Sequence, residues 1–384
     1  MAELNETPRG NRIHIAFFGL RNAGKSTLVN AFTGQQIAIV SDVPGTTTDP
    51  VSKAMEILPL GPCLVTDTAG LDDVGELGEQ RVAKSLKVLE TVDIAVWVCG
   101  GEGTSAPEEI RDGCKRRGAA LLEYHRGDSV EELKRKIAAV KLEEKAPGLL
   151  DGLVKKGDRV LCVCPIDESA PKGRLILPQQ QVIRECLDRG AVVTVCQPED
   201  VRHETEDKGR RPDLVITDSQ AFGSVNQTLE HSNSRAIRLT SFSILFARQK
   251  GDLDEFVKGL KAIKALKDGD MILVAEGCTH HRQCNDIGTV KIPKALEKLS
   301  GRKLKFEFKS GGGFLDSCAT LTSGQETASP FLSPALIVHC GGCMLTRREV
   351  LRRIALAKEA GVPIVNYGLV LAMANGLKVE DVLI

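Results

Sequence analysis

Near the start of the chain, glycines, a lysine and a hydroxyl residue have the spacing of a phosphate-binding loop. The sequence GLRNAGKS at 19–26 matches G-x-x-x-x-G-K-[ST], with a strand-like run before it and a helical pattern after it. In such a loop, backbone N–H groups bind the β-phosphate, the lysine reaches the β- and γ-phosphate oxygens, and the serine hydroxyl binds Mg²⁺. The residues predicted to bind nucleotide are Gly19, Asn22, Ala23, Gly24, Lys25, Ser26 and Thr27.

Two later segments carry residues that would complete a magnesium and phosphate site. DTAG at 67–70 follows a strand-like run, so Asp67 can contact Mg²⁺ through water while the Gly70 N–H contacts the γ-phosphate. GTTTD at 45–49 follows the first helix, and of its threonines we favour Thr47 as a further Mg²⁺ ligand. Leu71 stands where Ras-like enzymes place a water-orienting glutamine, which predicts slow hydrolysis. The predicted catalytic residues are Lys25, Thr47, Asp67 and Gly70, and the predicted Mg²⁺ ligands are Ser26, Thr47 and Asp67.

The motif that specifies guanine, N-K-x-D, is missing from the sequence. The nearest candidate is HRGD at 125–128, which keeps only the aspartate, Asp128. The pattern after Ser129 predicts the last helix of the domain, so the region is short by about one β-α unit. Purine affinity is therefore expected to be weakened, and a preference for GTP over ATP does not follow from this segment.

Cysteine and histidine residues recur at the ends of two strand-like runs in the last third of the chain. Cys278 and His280 follow one run, and His339, Cys340 and Cys343 follow another. Thiolate and imidazole ligands select zinc or an iron–sulfur cluster over harder ions. Three cysteines and one histidine could close a structural zinc site, or three cysteines could hold a cluster with one open iron. The spacing leaves both possibilities open.

The composition supports metal ligation over disulfides. The chain has 384 residues, with 51 lysines and arginines against 51 aspartates and glutamates, and 12 cysteines. We find no secretion signal and no apolar run long enough to span a bilayer, so disulfides are a poor explanation for the cysteines. A net charge of zero gives no bulk attraction to nucleic acid or to a membrane. Cysteines in strand-like runs are expected to be small buried apolar residues; they are Cys63, Cys99, Cys162, Cys164, Cys186 and Cys196.

These residues are positioned by three predicted α/β segments, 1–147, 148–240 and 241–384. Predicted strands of the first are 13–18, 63–66 and 94–99, with helices over 25–32 and 79–89. The second has predicted strands 160–164, 191–196 and 214–217 around a helix over 180–188. A small parallel sheet has open edges, which favours pairing with a second copy. The third has predicted strands 271–275, 336–339 and 363–366, and a loop rich in Gly, Ser and Thr over 310–334.

The motif sequences of the first segment resemble those of the bacterial GTPases related to TrmE and Era. In that group, an asparagine at the position of Asn22 often marks activation by potassium. The resemblance implies a bound K⁺ at Asn22.

The C-x-H and H-C-x-x-C pattern downstream of such a domain resembles HydF, the GTPase family of (FeFe)-hydrogenase H-cluster maturation. Three stretches are similar to that family: CPIDESAPKGRLILP at 164–178, LVITDSQ at 214–220 and DIGTVKIP at 286–293. The resemblance implies a cytoplasmic P-loop GTPase domain, then a small α/β dimerisation domain and an α/β iron–sulfur domain. It implies a scaffold that holds a 4Fe–4S cluster and a di-iron precursor, and that delivers the precursor to apo-hydrogenase.

In this family, Cys278, Cys340 and Cys343 would bind the cluster, with His280 or His339 as a labile or outer-shell fourth partner. GTP, Mg²⁺ and K⁺ are the other implied cofactors. The implied partners are apo (FeFe)-hydrogenase, the two radical-SAM maturases and a second copy of the chain, without nucleic acid or membrane. The interval between His280 and His339 is longer than expected, and His281 and Cys284 are second choices as ligands. Cys318 is expected to be free.

Two other functions are compatible with the residues. One is a GTPase of RNA modification or ribosome assembly with a structural zinc site, although we find no basic cluster with interleaved aromatics. The other is a metal-carrying binding module whose nucleotide site is degenerate, because the guanine motif is missing.

Overall fold

The computed structural model has strands and helices that alternate along the chain. It describes residues 7–34, 50–73, 75–101, 105–141, 147–166, 173, 175–207, 209, 211–231, 237–277, 286–311, 314 and 334–383. Two compact units divide the chain, Met1–Lys145 and Ala146–Ile384. Within the described ranges, no helix is both long and apolar enough to cross a membrane.

Five strands form the sheet of the first unit, in the order β2-β3-β1-β4-β5. Their bounds are β1 Ile13–Gly19, β2 Val51–Ile57, β3 Gly61–Asp67, β4 Ile94–Cys99 and β5 Ala120–His125. β2 is antiparallel to β3, and the other neighbours are parallel. The three strands predicted for this unit are confirmed, and the carboxyl ends of β1, β3, β4 and β5 therefore lie at one edge of the sheet.

Helices cover both faces of this sheet: α1 Lys25–Thr33, α2 Glu76–Leu89, α3 Glu108–Arg117 and α4 Val130–Ala138. Successive residues of a strand face opposite sides. Phe17 therefore packs with Phe32 of α1, whereas Phe18 packs with Trp97 against the α2 and α3 side. Ser129 caps α4 by accepting the Glu132 N–H. From β5 the described chain passes through α4 to residue 141 without a sixth strand, in agreement with the predicted loss of one β-α unit.

The second unit begins with a four-stranded parallel sheet in the order β7-β6-β8-β9. Its strands are β6 Arg159–Val163, β7 Val192–Cys196, β8 Leu214–Thr217 and β9 Arg238–Ser241, and its helices are α5 Leu177–Asp188, α6 Val201–Glu206, α7 Phe222–His231 and α8 Phe242–Lys250. β7 and β9 are the edge strands. The cysteines of β6 and α5 are buried among apolar residues, as predicted.

A second four-stranded parallel sheet follows, in the order β11-β10-β12-β13. Its strands are β10 Met271–Glu276, β11 Lys305–Ser310, β12 Leu336–His339 and β13 Ile364–Asn366, and its helices are α9 Leu253–Ala262, α10 Ile292–Ser300, α11 Arg347–Glu359, α12 Tyr367–Ala374 and α13 Val379–Leu383. One apolar cluster includes Val215 of β8, Ile244 of α8 and Val338 of β12, so the two sheets share a core. The carboxyl ends of β10, β12 and β13 meet at one edge, where the thiols of Cys340 and Cys343 lie.

Candidate functional site

The phosphate-binding loop connects the end of β1 to the start of α1. Asn22 and Gly24 have left-handed backbone angles, with φ of 60° and 89°. Asparagine tolerates this region better than most side chains, and glycine adopts it freely. At Gly19, a Cβ would lie 2.7 Å from the Val98 carbonyl oxygen, so the loop leaves the sheet at a position that accommodates only glycine. The turn presents the free N–H groups of the α1 N-terminus, which suits an anion such as phosphate.

Lys25 is buried and folds back across this loop. Its Nζ donates to the carbonyl oxygens of Leu20 at 2.7 Å and Gly19 at 3.3 Å. Burial lowers the pKa of the Lys25 ammonium, and the nearby carboxylates of Asp67, Asp72 and Asp73 oppose that shift. The ammonium therefore lies over the anion-binding loop, in a position from which it can reach a bound phosphate.

Ser26 and Asp67 are brought together as expected for a magnesium site. The Ser26 hydroxyl donates to Asp67 Oδ2 at 2.6 Å. Asp67 is fully buried, and its Oδ1 has no hydrogen-bond partner among the described residues. Burial raises the pKa of Asp67, which the bond from Ser26 and the charge of Lys25 oppose. An unpaired buried carboxylate oxygen beside a hydroxyl fits Mg²⁺, a hard ion that prefers oxygen ligands.

The segment after β3 lies directly against the phosphate-binding loop. A Cβ at Gly70 would lie 2.7 Å from the Arg21 backbone nitrogen, and the Leu71 N–H donates to the Gly19 carbonyl oxygen at 3.2 Å. The Arg21 N–H donates to the Asp72 carboxylate. The Leu71 side chain packs against the apolar cluster of the sheet. Gly70 thus reaches the nucleotide loop, whereas the next side chain has no group that could orient a water.

The aspartate of the guanine-motif candidate is used inside its own turn. Asp128 Oδ2 accepts the His125 N–H at 2.9 Å, and the Asp128 carbonyl oxygen accepts the Tyr124 hydroxyl at 2.8 Å. The Asp128 N–H donates to the His125 carbonyl oxygen. In this conformation, one oxygen of the carboxylate is used within the connection between β5 and α4.

In the second unit, Cys340 and Cys343 lie on the loop that follows β12. Cys340 Sγ accepts the backbone N–H groups of Gly277 at 3.1 Å and Gly342 at 3.4 Å. Gly342 has a φ of 65°, which lets the loop turn between the two thiols. Burial raises the pKa of Cys340, and it raises that of Cys343 to about 11. Without a metal both groups are therefore thiols, and a cation would be needed to hold them as thiolates.

A buried lysine that the sequence analysis missed holds this loop. Lys250, at the end of α8, is 2% exposed, and its Nζ donates to the carbonyl oxygens of Gly342 at 3.3 Å, Cys343 at 3.1 Å and Leu345 at 2.6 Å. Burial lowers the pKa of Lys250 to about 8, and the nearby Cys343, Glu349 and Cys340 oppose this shift. The only signal in the sequence is a lysine at the end of a mostly apolar helix.

Both ring nitrogens of His339 are occupied. Nδ1 donates to the Cys340 carbonyl oxygen at 2.7 Å, because a carbonyl only accepts. Nε2 then accepts from Arg353 Nη1 at 3.3 Å. Arg353 is itself fully buried, donates to the Gly311 carbonyl oxygen and lies over the Phe314 ring. Burial and the Arg353 charge lower the pKa of His339 to about 3, so the ring is neutral.

The predicted residues thus fall into two described groups. The first contains Gly19, Asn22, Ala23, Gly24, Lys25, Ser26, Thr27, Asp67 and Gly70, around the β1–α1 loop. The second contains His339, Cys340 and Cys343 after β12. Predicted residues that lie outside the described ranges are Thr47, Cys278, His280, His281, Cys284 and Cys318, together with most of the segment 310–334.

Comparison with known protein families assigns most of the chain. Residues 14–132 match a 50S ribosome-binding GTPase family. Residues 149–251 match the hydrogen maturase F dimerization domain, and residues 254–383 match the hydrogen maturase F tetramerization domain.

Two curated relatives each match about a quarter of the chain. The tRNA modification GTPase MnmE of Methylobacterium sp. (strain 4-46) is 39% identical over 112 residues, which is 28% of this chain and 25% of the relative. GTPase Der of Xylella fastidiosa (strain M23) is 48% identical over 99 residues, which is 24% of this chain and 21% of the relative. The match thus spans about a quarter of the length of these relatives. Aquifex aeolicus Era bound to GDP and AlF4⁻ aligns over 78% of this chain and 92% of its own, at 15% identity and a TM-score of 0.26.

The order of the three family matches follows the order of the two units and their sheets. The described nucleotide loop lies in the first match, and the Cys340–Cys343 loop lies in the last. The chain therefore belongs to the hydrogen maturase F family, as a HydF-like GTPase with a P-loop domain followed by the dimerization and tetramerization domains of that family.

Proposed function

We propose that this protein is a GTP-hydrolysing scaffold that holds a 4Fe–4S cluster and a di-iron precursor, and delivers the precursor to apo (FeFe)-hydrogenase. The observation that carries the proposal is the thiol pair on the loop after β12. Cys340 Sγ accepts the Gly277 N–H, and Cys278 is the residue that follows Gly277 in the sequence. The proposed cluster ligands are Cys278, Cys340 and Cys343.

The described surroundings of these thiols suit an anionic cluster. Two backbone N–H groups point at Cys340 Sγ, and the Lys250 ammonium lies against the same loop. Hydrogen bonds and positive charge near the sulfurs stabilise a cluster and adjust its reduction potential. When bound, a cluster held by three thiolates supplies one iron whose remaining position can exchange a ligand.

His339 has a different role from the cysteines in this proposal. Since its Nδ1 donates to the Cys340 carbonyl oxygen and its Nε2 accepts from Arg353, neither nitrogen offers a free lone pair. We assign His339 to the outer shell, where it orients the peptide that follows Cys340. His280 is then the proposed fourth partner of the cluster.

The first unit would bind and hydrolyse GTP with Mg²⁺. Lys25 would contact the phosphates, Ser26 and Asp67 would hold Mg²⁺ together with Thr47, and the Gly70 N–H would contact the γ-phosphate. Asn22 is the proposed K⁺ ligand. Because Leu71 is apolar and packed against the sheet, intrinsic hydrolysis is slow, which suits a switch.

The second unit would assemble the scaffold in the cytoplasm. We propose domains at 1–147, 148–240 and 241–384, with homodimers formed through the 148–240 sheet. Apo-hydrogenase and two radical-SAM maturases are the proposed partners. The family matches to dimerization and tetramerization domains support assembly of copies of this chain.

Anaerobic iron and sulfide analysis with EPR of the reduced, reconstituted protein tests the cluster. We expect about four irons and four sulfides per chain, lost in Cys278→Ala and Cys340→Ser and retained in Cys318→Ser. Equal iron in Cys340→Ser and Cys318→Ser would overturn the ligand set. A colourless protein with one zinc would favour a GTPase of RNA modification or ribosome assembly instead.

The coupling to nucleotide is tested separately. Turnover of GTP and ATP with and without K⁺ should show potassium-stimulated GTP hydrolysis, and Lys25→Ala should abolish it while leaving the iron content unchanged. If Lys25→Ala still matures hydrogenase fully, the nucleotide does not control delivery.

A further inference from the structure

We infer that Cys99, Glu123 and His125 form a second metal site, in the first unit, for a divalent transition ion such as Zn²⁺. One ligand atom from each, the Cys99 Sγ, a Glu123 carboxylate oxygen and a His125 ring nitrogen, all lie within 4.8 Å of one another. Neither the nucleotide site nor the proposed cluster ligands use these three residues.

The register of β4 and β5 produces this arrangement. The strands are parallel, and Cys99 lies beside His125 while Trp97 lies beside Glu123. Because side chains alternate along a strand, Glu123 and His125 share a face, and pairing puts Cys99 on that same face. The three groups therefore converge at the carboxyl end of two hydrogen-bonded strands.

The donor set suits a particular class of ion. One thiolate, one imidazole and one carboxylate favour borderline ions such as Zn²⁺ and Co²⁺ over Mg²⁺ or Ca²⁺, which prefer oxygen. Three protein ligands with a fourth position left to water or substrate are typical of catalytic zinc sites. Cys99 is buried, Glu123 is partly buried and His125 is exposed, so an ion can enter from the His125 side.

The contacts already made by Glu123 are compatible with metal binding. Its Oε1 accepts the Ala106 N–H at 2.9 Å and lies 3.8 Å from Arg111 Nη2. A carboxylate has a second oxygen that can bind an ion while the first keeps these bonds. The Ala106 bond thereby fixes the carboxylate, as hydrogen bonds to metal-binding side chains do at known metal sites.

The position in the fold adds a further argument. His125 begins the turn after β5, at the position where a guanine motif would be expected. Within this turn, Asp128 accepts the His125 N–H. An ion bound by Cys99, Glu123 and His125 would join β4 to β5 at the point where, in the described residues up to 141, no further β-α unit follows.

Cobalt binding to the full-length protein tests the site. The background is Cys278→Ser, Cys340→Ser, Cys343→Ser, which removes the proposed cluster thiols. We expect one Co²⁺ per chain with sulfur-to-cobalt charge-transfer absorption and tetrahedral d–d bands, displaced by Zn²⁺. Cys99→Ser should remove the charge-transfer band, and Cys114→Ser is the matched control, a buried cysteine on α3 of the same apolar cluster.

His125→Ala keeps the test decisive if Cys99→Ser fails to fold, because the His125 side chain is exposed. It should weaken Co²⁺ affinity at least about tenfold, the scale of losing one partner at a metal site. Unchanged affinity in folded His125→Ala, or an unchanged charge-transfer band in folded Cys99→Ser, would overturn the proposal.

Discussion

At the scale of single residues, buried positive charge surrounds the Cys340–Cys343 loop. Lys250 donates to three carbonyl oxygens of this loop, and Arg353 donates to His339, whose ring in turn donates to the Cys340 carbonyl oxygen. Buried charges are retained only where such bonds compensate for lost hydration. The loop is therefore held from both sides, and the charges of Arg353 and Lys250 partly oppose the rise in the cysteine pKa values that burial causes.

Lys250→Met should weaken both the fold and the cluster. It leaves three buried carbonyl oxygens without their donor, so we expect the free energy of unfolding to fall by about 3 kcal/mol, near one per lost bond. Removal of the positive charge should also make the cluster harder to reduce. Denaturant unfolding of the metal-free protein and a redox titration of the reconstituted one measure these effects. Lys258→Met, at an exposed position of α9, should change neither, and a potential unchanged in Lys250→Met would refute the electrostatic role.

His14 of β1 should make the first unit sensitive to acid. Burial lowers its pKa below the ordinary value, while the ring lies 3.1 Å from the Arg9 carbonyl oxygen. The unfolded chain then binds more protons than the folded one below about pH 6.5, so stability is lost as the pH falls through that range. Urea unfolding at pH 7 and pH 5 should show this loss, and His14→Gln should reduce the difference. An equal difference in both proteins would exclude His14 as its source.

At the scale of elements, turns at strand ends place the functional groups. The β1–α1 turn depends on Gly24, and the loop after β12 depends on Gly342, both with positive φ. Neither turn could keep its path with an ordinary side chain at these positions without strain. Small changes in these turns should therefore affect binding more than they affect the surrounding sheets.

Gly342→Ala should impair the cluster beyond its cost in stability. The left-handed angle costs about 1 kcal/mol for alanine, and the new Cβ would lie 3.1 Å from Val350 Cγ2. Gly361 provides the control, since it has φ of 67° with no atom within 4 Å of a built Cβ. Both variants should unfold more easily, and only Gly342→Ala should lose iron on reconstitution. Equal iron in the two proteins would mean that the turn does not set the ligand geometry.

The elements that the sequence predicted are the ones with continuous apolar runs. β1, β4, β6 and β12 are buried on both faces and were found, whereas β2, β5, β9 and β11 were missed. β2 is mostly exposed, and β11 alternates Phe306 and Phe308 with charged residues. Edge strands need no continuous apolar run, because one side faces solvent.

The functional residues that were predicted lie close together in the sequence, whereas those that were missed are brought together only by the fold. The nucleotide residues were predicted because most of them lie within one short segment, whose spacing is itself the signal. Lys250 was missed because its bond to the Gly342 carbonyl oxygen joins residues 92 positions apart. Arg353 was missed because its contact with His339 becomes visible only when α11 packs beside β12.

At the scale of the whole molecule, the two edges of the β6 to β9 sheet differ in how far the described residues cover them. Thr240 of β9 donates to the Val382 carbonyl oxygen of α13, which covers that edge. β7 lies at the other edge, where Val192 and Val195 are 47% and 44% exposed. Exposed apolar side chains on an edge strand favour pairing with a second strand.

Val195→Lys should therefore reduce dimer formation. A lysine on this edge strand adds like charges across the proposed contact and opposes strand pairing. Light scattering after size exclusion should show a smaller mass at the same protein concentration. Leu58→Lys, which changes an exposed leucine of the first unit, should leave the mass unchanged. A dimer of full stability in Val195→Lys would place the contact elsewhere.

The bonds of Lys250 also bear on how separable the parts of this chain are. The family match that contains α8 ends at residue 251. The Cys340–Cys343 loop, which Lys250 of α8 holds, belongs to the match that begins at residue 254. A fragment cut between them would carry both described thiols but neither Lys250 nor Ser243, which contacts Asn366 at the same edge. A fragment that begins at 241 would keep them. The boundary between the two family matches and the boundary of the packed unit thus differ by one helix. Exchange of cluster domains between homologues should therefore succeed only when α8 is transferred together with the loop.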